Sequence, residues 1–532
     1  MTTAVNQLPR TIPALLARRV AATPDKPFIV DGAMTLSYKE TQDQAAALAA
    51  WLLSQGCLLE ERVAIWAPNC HQWIVAALAA QTVGATVVTL NTRYKGAEAA
   101  DILRRSGSRF LFLVEQFLDV NYPALIEPYD LPDLVNTVTL KVHSQSDHFA
   151  QVVEKGRNIL STEPGNEALT AASAHVTPST ISDILFTSGT TGQAKGVVTD
   201  HGQNLQAFSA FVDILGLEPT DNYLIINPFF HSFGYKAGWL ATMIAGATAF
   251  PQAIFDVPTV IQQIERHGIN VMPGPPTLFQ SLLDHEDFDR EKLKTLSKAT
   301  TGAAVIPTQL IEDMWQKLGI DTVITAYGLS ETCGLVTMCR QGDDAETIAT
   351  TSGRSIPGIE VAIFDDQGNA LPAMEPGEIV VKGYNVMRSY FENPVATAET
   401  IDRNGWLHTG DIGFLNRAGN LHITDRLKDM YISGGFNCYP AEIEQQLCQH
   451  PAIAQAAVIG TPDPRMGEVG AAFIIASLPE PPQEQELISW CREVMANYKV
   501  PKQFLWVETL PLNATGKVLK TELRKQLHLC TS

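Results

Sequence analysis

The chain has 532 residues, more than one hydrophobic core usually supports, so its length predicts at least two domains. The formal net charge of −19 argues against a broad nucleic-acid-binding face, although a few local donors can still bind a phosphate-bearing small molecule. Eight cysteines without a C-x-x-C pair are typical of reduced thiols. No apolar run reaches the roughly 18 residues of a spanning helix. These features predict a soluble, cytoplasmic protein without a nucleic-acid partner.

The first part of the chain alternates strand-like and helix-like segments. Near-continuous apolar runs predict strands over residues 62–67, 85–90 and 110–114, and helices are expected over 71–80 and 97–105. Strands that are apolar on both faces and separated by helices are typical of parallel sheets covered by helices.

From about Gly353 the segments become shorter and are separated by turns. Strands are predicted over residues 361–364, 378–382 and 422–424. Hairpin turns are predicted over 366–369 and 416–420. This pattern indicates an antiparallel, barrel-like section that closes the large domain.

The pattern changes again near residue 427. Residues 432–444 pass through a Gly-Gly turn into a helix, and 454–459 and 471–477 are strand-like. We therefore expect an α/β fold with a large N-terminal domain over 1–427, built from two helix-covered β-sheets and the barrel-like section. A smaller α+β C-terminal domain is expected over 428–532.

The segment Thr187–Gly196, T-S-G-T-T-G-Q-A-K-G, follows an apolar stretch and is rich in hydroxyls and glycine. Glycines let several backbone N–H groups converge on an anion, the hydroxyls add donors, and Lys195 adds a positive charge. The spacing is not that of a Walker A loop, and an ordinary polar turn is the alternative. Four Ser or Thr and three Gly within ten residues favour a loop that binds a nucleotide triphosphate.

This segment resembles the phosphate loop of the adenylate-forming superfamily, which includes acyl-CoA synthetases, luciferases and peptide-synthetase adenylation domains. Six more segments agree with that family in order and spacing: Asn227–Gly234 (NPFFHSFG), Thr301–Ala304 (TGAA), Tyr327–Thr332 (YGLSET), Trp406–Gly413 (WLHTGDIG), Thr424–Tyr439 (TDRLKDMYISGGFNCY) and Pro511–Lys517 (PLNATGK). The resemblance implies a free-standing acyl-CoA synthetase. Such an enzyme makes an acyl adenylate from a carboxylic acid and ATP, then transfers the acyl group to coenzyme A.

The resemblance also implies a nucleotide site. In it Tyr327 stacks on adenine, Asp411 accepts from the ribose hydroxyls, and Glu331 holds Mg²⁺, a cation that prefers oxygen ligands. Lys517 bridges the acid carboxylate and the α-phosphate, where negative charge builds up. The implied ATP- and AMP-binding set is Thr187, Ser188, Gly189, Thr190, Thr191, Gly192, Lys195, Gly302, Ala303, Ala304, Tyr327, Gly328, Thr332, Asp411, Arg426 and Lys517. The implied catalytic set is Lys517, Thr332, Glu331 and His231.

The acyl side of the implied site begins at His231. The family match makes His231 a wall or gate between the acyl pocket and the thiol channel, without a proton-transfer role, although a core histidine is the alternative. Ser232, Phe233 and Tyr235 would line the pocket, and Lys236 is the only cation evident nearby. The run H-S-F-G-Y-K-A-G resembles synthetases for alicyclic or branched acids, including steroid-degradation fragments. Aryl and medium-chain fatty acids stay open.

The implied second half-reaction uses the C-terminal domain. Lys428 occupies the family's hinge position, which implies that this domain is mobile and rotates between the two half-reactions. Ser433, Gly434 and Gly435 would then line the coenzyme A channel, where a side chain in place of glycine would narrow the path of the thiol.

Other reaction classes fit the sequence less well. A serine hydrolase would need G-x-S-x-G, and a dinucleotide oxidoreductase would need G-x-G-x-x-G after an early strand; neither is present. A non-catalytic ATP-binding module would not need Lys517 or the Gly-Gly segment. An adenylation enzyme that loads a carrier protein is the closer alternative to a coenzyme A ligase. The sequence leaves open whether the protein forms a homodimer.

Overall fold

The computed structural model describes most of the chain. The described residues are 9–140, 148–187, 194–302, 306–426, 429–433, 436–463, 465–477, 482–495, 497–513 and 518–531, with the backbone alone given at 425–426, 432, 436–437 and 528–531.

The larger sheet has a parallel centre, formed by Asn222–Ile225 with its neighbours on both sides. Its two ends are closed by antiparallel strands. In the described residues the strand order is Arg354–Ser355, Thr337–Met338, Thr322–Tyr327, Lys298–Thr301, Val271–Pro273, Asn222–Ile225, Thr248–Pro251, Pro27–Asp31 and Met34–Ser37.

The second sheet contains the three strands predicted in the first part of the chain, and it confirms them. They run parallel to each other, while the strand that ends at Thr187 pairs antiparallel with the strand that begins at Lys195. Within the described ranges the order is Ser389–Tyr390, Lys195–Asp200, Ile181–Thr187, Thr86–Thr89, Arg62–Trp66, Ser108–Val114 and Asn136–Leu140.

The helix His71–Thr82 lies between the two sheets. Every residue from Gln72 to Gln81 is buried, because the segment is apolar on all faces rather than along one stripe. It contacts Pro27–Asp31 of the larger sheet and Arg62–Trp66 of the second sheet. The sequence prediction of a helix over residues 71–80 is confirmed.

The remaining helices cover the sheets or connect their strands. Their starts follow local capping: Ser37 and Glu40 form a capping box, as do Asp200 and Gln203. The described helices, besides His71–Thr82, are Ile12–Ala22, Tyr38–Ser54, Gly96–Ser106, Tyr122–Ile126, His148–Leu160, Glu163–Ala174, His201–Leu215, Ser232–Gly234 continuing through Tyr235–Leu240 to Ala241–Ala245, Val257–His267, Pro276–Leu283, Arg290–Leu293, Thr308–Gln316, Ala345–Thr350, Pro394–Thr400, Pro440–Leu447, Glu484–Val494 and Lys520–Thr531. None of them is long and apolar enough to cross a bilayer.

Two smaller antiparallel sections follow. In the described part, one sheet is ordered Ile359–Phe364, Gly377–Gly383, Leu407–Leu415 and Leu421–Arg426, where the barrel-like section was predicted. The last sheet contains Phe436–Cys438, Tyr431–Ser433, Gly467–Ala476 and Ile453–Asp463, with Gln503–Trp506 pairing in parallel to Gly467–Ala476. A short hairpin joins Gln116–Phe117 to Val120–Asn121.

The N-terminal and C-terminal parts of the chain bury their apolar side chains in separate clusters. The main core draws its buried residues from Ile12 to Leu421, whereas two small clusters use residues from Tyr431 onward. The mixed α/β architecture, with a large sheet-containing N-terminal part and a smaller C-terminal part, is therefore as expected.

Candidate active site

The base of the phosphate loop is a strand pair. Thr187 and Lys195 are register partners, and the Thr187 hydroxyl donates to the Lys195 carbonyl oxygen at 3.4 Å. The two ends of the predicted loop are therefore side by side. Several predicted site residues lie outside the described residues: Ser188, Gly189, Thr190, Thr191, Gly192, Ala303, Ala304, Lys428, Gly434, Gly435 and Lys517.

Tyr327 and Asp411 come together as predicted for a base and ribose site. Tyr327 ends one strand of the larger sheet, and its hydroxyl donates to Asp411 Oδ2 at 2.6 Å. Both side chains are buried. Across the strand pair, the Asp411 backbone is the register partner of Arg426. An aromatic ring and a carboxylate are thus held one hydrogen bond apart.

The strand that presents Asp411 is fixed by contacts that the sequence did not predict. The Asp411 N–H donates to Thr409 Oγ1 at 3.0 Å, and that hydroxyl donates to the Ile379 carbonyl at 2.7 Å. Glu378 accepts from the Gly410 N–H at 3.1 Å and contacts His408 Nδ1 at 2.7 Å. Glu378 therefore anchors the turn before Asp411 from the neighbouring strand.

The loop after Tyr327 is closed tightly on itself. A Cβ added at Gly328 would lie 2.2 Å from the Gly334 carbonyl oxygen, so only glycine fits there. Thr332 is fully buried, and its hydroxyl accepts from the Leu329 N–H at 2.9 Å and donates to the Leu329 carbonyl at 3.0 Å. The hydroxyl thus has a structural role inside the loop, and its role as an α-phosphate donor stays a prediction.

The structure brings Glu331 and Lys195 to one tyrosine that sequence reasoning missed. The Tyr390 hydroxyl donates to Glu331 Oε1 at 2.8 Å, and Lys195 Nζ lies 4.8 Å from the centroid of the Tyr390 ring. Burial, together with the Glu331 carboxylate, raises the pKa of Tyr390, so the phenol stays a neutral donor. A lone tyrosine in a short strand gives no sequence signal of such a role.

The donor set around Glu331 fits a Mg²⁺ ion that arrives with a nucleotide. Among the described side chains, no three His, Cys, Asp or Glu residues gather to form a metal site. Mg²⁺ is commonly bound by one or two carboxylates together with substrate phosphates. A single carboxylate that shares a tyrosine contact with Lys195 is compatible with such an arrangement.

His231 caps the short helix that begins at Ser232. The Phe233 N–H donates to His231 Nδ1 at 3.2 Å, so that nitrogen is unprotonated. The ring keeps partial solvent contact but is closely surrounded. Burial, and secondarily the Lys236 charge, lowers its pKa to about 4. His231 is therefore neutral at physiological pH, which suits a wall.

The predicted acyl-pocket residues lie in different environments. Ser232 is buried and Phe233 is partly exposed. Tyr235 is fully buried, stacks on Trp239 with ring centroids 4.9 Å apart, and its hydroxyl accepts from Gln81 Nε2 at 2.6 Å. Tyr235 thus lies in the aromatic core behind the other two, and its role as a pocket wall stays a prediction.

The cation nearest the predicted pocket is neutralised. Lys236 Nζ lies 3.0 Å from Asp183 Oδ1 and donates to Thr199 Oγ1 at 2.9 Å. The two charged side chains are 1% and 0% exposed. Asp183 also accepts, at 2.7 Å each, from the side chains of Ser182, Thr199 and Asn204. The sequence signal was an aspartate inside an otherwise apolar strand, which sequence reasoning did not use.

A groove of about 460 Å³ opens beside Phe230, the residue before His231. It lies at the carboxyl ends of neighbouring parallel strands of the larger sheet, where α/β proteins commonly bind ligands. Its lining includes Arg93, Asn227, Phe230, Phe255, Leu278 and Ser281. Sequence reasoning missed this groove because its residues come from five separate segments.

Two predicted site segments of the C-terminal part, around the Gly-Gly turn and around Lys517, are described only at their ends. Ser433 is buried and pairs with both Phe436 and Gly467. Leu512 and Val518, which flank the segment that contains Lys517, form an antiparallel bridge.

A family model for AMP-binding enzymes matches residues 16–391, and a model for the AMP-binding enzyme C-terminal domain matches 442–517. The chain is 46% identical over 524 residues to the 3-[(3aS,4S,7aS)-7a-methyl-1,5-dioxo-octahydro-1H-inden-4-yl]propanoyl:CoA ligase of Mycobacterium tuberculosis, covering 98% of this chain and 99% of that protein. It is 44% identical to the Rhodococcus jostii ligase of the same name, covering 98% and 100%. ATP-bound MatB from Rhodopseudomonas palustris superposes with a TM-score of 0.83 at 26% identity, covering 97% and 98%.

Proposed function

The chain belongs to the AMP-binding enzyme family as an ATP-dependent acid–CoA ligase, and we propose that its acid is an alicyclic propanoate with no charged group besides the carboxylate that reacts. The ligase joins the acid to ATP as an acyl adenylate, releasing pyrophosphate, and the thiol of coenzyme A then displaces AMP. The Lys236–Asp183 pair is the observation that supports the choice of acid. Because Asp183 compensates the charge of Lys236 inside the protein, Lys236 is not free to pair with a second carboxylate on the acid.

The names of the Mycobacterium tuberculosis and Rhodococcus jostii relatives narrow the class of acid further. Both name a bicyclic propanoate with two ring ketones and no second carboxylate. We expect the buried Ser232 and the partly exposed Phe233 to bound a pocket that suits such a rigid apolar ring system. Aryl and medium-chain acids are the alternatives within the same activity.

The nucleotide side has separate roles for its residues. Tyr327 supplies a face for adenine, Asp411 with Arg426 binds the ribose, and Lys195 with the phosphate loop binds the triphosphate. Glu331 would hold Mg²⁺, which would supply positive charge to the triphosphate. Lys517 bridges the acid carboxylate and the α-phosphate during the first half-reaction, and Thr332 steadies the same phosphate.

The groove beside Phe230 supports coenzyme A as the acceptor. Its lining includes Phe230, the residue before His231, so a thiol that follows the groove could approach the acyl adenylate past the His231 ring. The exposed Arg93 at its edge can meet a phosphate group. In the second half-reaction Ser433, Gly434 and Gly435 would complete the thiol channel, after rotation of residues 428–532 about Lys428 relative to residues 1–427.

The cellular compartment of the enzyme is part of the proposal. Seven cysteines with described side chains form no disulfide, which fits a reducing cytoplasm. A homodimer is compatible with this function but is not needed for it.

A panel of acids tests the proposal. The protein is incubated with MgATP, coenzyme A and, in turn, the bicyclic diketone propanoate, octanoate, ferulate and a dicarboxylate of similar size. We expect AMP and acyl-CoA from the bicyclic acid at the highest rate and none from the dicarboxylate. A preference for the dicarboxylate, or acyl transfer to a phosphopantetheinylated carrier but not to free coenzyme A, would contradict it.

A further inference from the structure

Tyr390 contacts two groups of opposite charge at the phosphate end of the site. Its hydroxyl donates to Glu331 Oε1 at 2.8 Å, and its ring lies under Lys195 Nζ, 4.8 Å from the centroid. Tyr390 itself is 6% exposed, while Lys195 and Glu331 are partly exposed. One buried ring therefore joins the lysine of the phosphate loop to the proposed metal carboxylate.

The placement of Tyr390 is fixed by the protein alone. Its backbone pairs with Val197, two residues after Lys195, and its N–H donates to Thr397 Oγ1 at 2.9 Å. The ring belongs to an apolar cluster with Val197, Met387 and Leu407. The Met387 N–H donates to the Glu331 carbonyl at 2.8 Å, which ties the metal carboxylate to the same segment.

The contacts with Tyr390 bear on the electrostatic attraction between Lys195 and Glu331. An ammonium and a carboxylate that face the same space attract each other, and a direct pair would have to break before a triphosphate and its metal could bind. Among the described contacts no ion pair joins Lys195 to Glu331, and the carboxylate uses only Oε1 for Tyr390. Cation–π contacts and single hydrogen bonds are weak enough to be exchanged for phosphate and metal.

We propose that Tyr390 is a positioning residue for MgATP, which holds Lys195 on its ring and Glu331 on its hydroxyl so that both charges stay available. This inference rests on the proposed ATP site. It concerns the triphosphate and the metal, because adenine and ribose are bound elsewhere, at Tyr327 and Asp411.

Two variants separate the two contacts. Tyr390→Phe keeps the ring and removes the hydroxyl, whereas Tyr390→Leu removes both. Calorimetry should give a dissociation constant for MgATP about tenfold weaker in Tyr390→Phe and about a hundredfold weaker in Tyr390→Leu, with that for metal-free AMP unchanged. Electron paramagnetic resonance of Mn²⁺ titrated into the ATP complex should show that the affinity for the metal falls in the same order, from the wild type to Tyr390→Phe to Tyr390→Leu.

Tyr384→Phe is the matched control. It removes a tyrosine hydroxyl that donates to the Pro357 carbonyl at 3.2 Å rather than to Glu331, and should change neither affinity. If Tyr390→Phe weakens AMP as much as MgATP, or weakens neither, the positioning role is wrong, and the near-isosteric Phe variant decides this even if the Leu variant does not fold. Failure of the proposed function itself would show differently, as wild-type protein that does not bind MgATP.

Discussion

The two sides of the candidate site differ in how their charged side chains are paired and how far they are exposed. On the nucleotide side, Lys195 and Glu331 are partly exposed and share one tyrosine through weak contacts. On the acyl side, Lys236 and Asp183 are buried and paired directly at 3.0 Å. The contacts of Lys195 and Glu331 can thus be exchanged for a ligand, whereas Lys236 and Asp183 already neutralise each other.

This difference accounts for what each side can select. Exchangeable charges suit a ligand that brings its own phosphates and metal, because those groups replace the weak protein contacts. A compensated pair offers nothing to a charged substituent, and burying an unpaired second carboxylate beside it would be costly. The acid is therefore expected to be charged only at the carboxylate that reacts.

The largest expected effect tests the nucleotide side. Lys517→Ala should lower acyl-adenylate formation about a thousandfold, since one charge contact about 4 Å long contributes roughly 4 kcal/mol at an effective dielectric near 20. Transfer from supplied acyl adenylate to coenzyme A should persist. Gly435→Leu should show the reverse pattern, and an equal block of both steps by Lys517→Ala would rule out domain alternation. Pyrophosphate exchange and acyl-CoA release measure the two steps.

The next effect tests the acyl side. Lys236→Met leaves Asp183 charged and buried, so we expect a loss of about 3 kcal/mol in the free energy of unfolding, measured by urea denaturation. The double variant Asp183→Asn/Lys236→Met removes both charges and keeps an acceptor for Thr199. It should recover most of that loss. A double variant as unstable as the single one would mean that the pair itself, not its unbalanced charge, matters.

Low pH should reduce the free energy of unfolding through His201, whose pKa is affected by Asp183. Burial lowers the pKa of His201 to about 4, against the opposing Asp183 carboxylate, from an ordinary 6.5. The unfolded chain then binds more protons between pH 6.5 and 4, so stability is present above pH 6.5 and is lost as the pH falls through this window. We expect about 2 kcal/mol less stability from His201 at pH 5 than at pH 7.5. His201→Gln should flatten that slope, and the exposed His175→Gln is the control.

The smallest effect returns to the nucleotide side. Tyr327→Phe keeps a ring for adenine but removes the 2.6 Å bond to Asp411. A hydrogen bond to a charged group contributes about 1.5 kcal/mol, so the KM for ATP should rise about tenfold. The KM for the acid should stay as in the wild type. A matching rise in the acid KM would indicate that the two sides are not independent.

The sequence predicted the fold, and it singled out more of the residues that meet on the proposed nucleotide side than on the proposed acyl side. Continuous apolar runs were enough for the strands Arg62–Trp66 and Ser108–Val114 and for the helix between the sheets, because burial on all faces leaves a local pattern. Tyr327 and Asp411 lie in recognisable motifs, and the structure brings them together.

The missed residues share a physical reason. Tyr390 contacts Glu331, and Asp183 contacts Lys236, only because separate segments of the chain pack together. A single side-chain contact of this kind produces no periodic pattern in the sequence of either segment. Glu378 and the groove beside Phe230 were missed for the same cause. A charged residue in an apolar strand, as at Asp183, was the one local sign of a buried partner.

Competition between two acids tests the central claim most directly. The bicyclic diketone propanoate and an analogue in which one ketone is replaced by a carboxylate are offered together with MgATP and coenzyme A, and the two acyl-CoA products are counted by mass spectrometry. The ratio of kcat/KM values should favour the acid with one carboxylate by at least about a hundredfold, as expected when an unpaired charge is buried. Equal use of the two acids, or a preference for the acid with two carboxylates, would contradict the account.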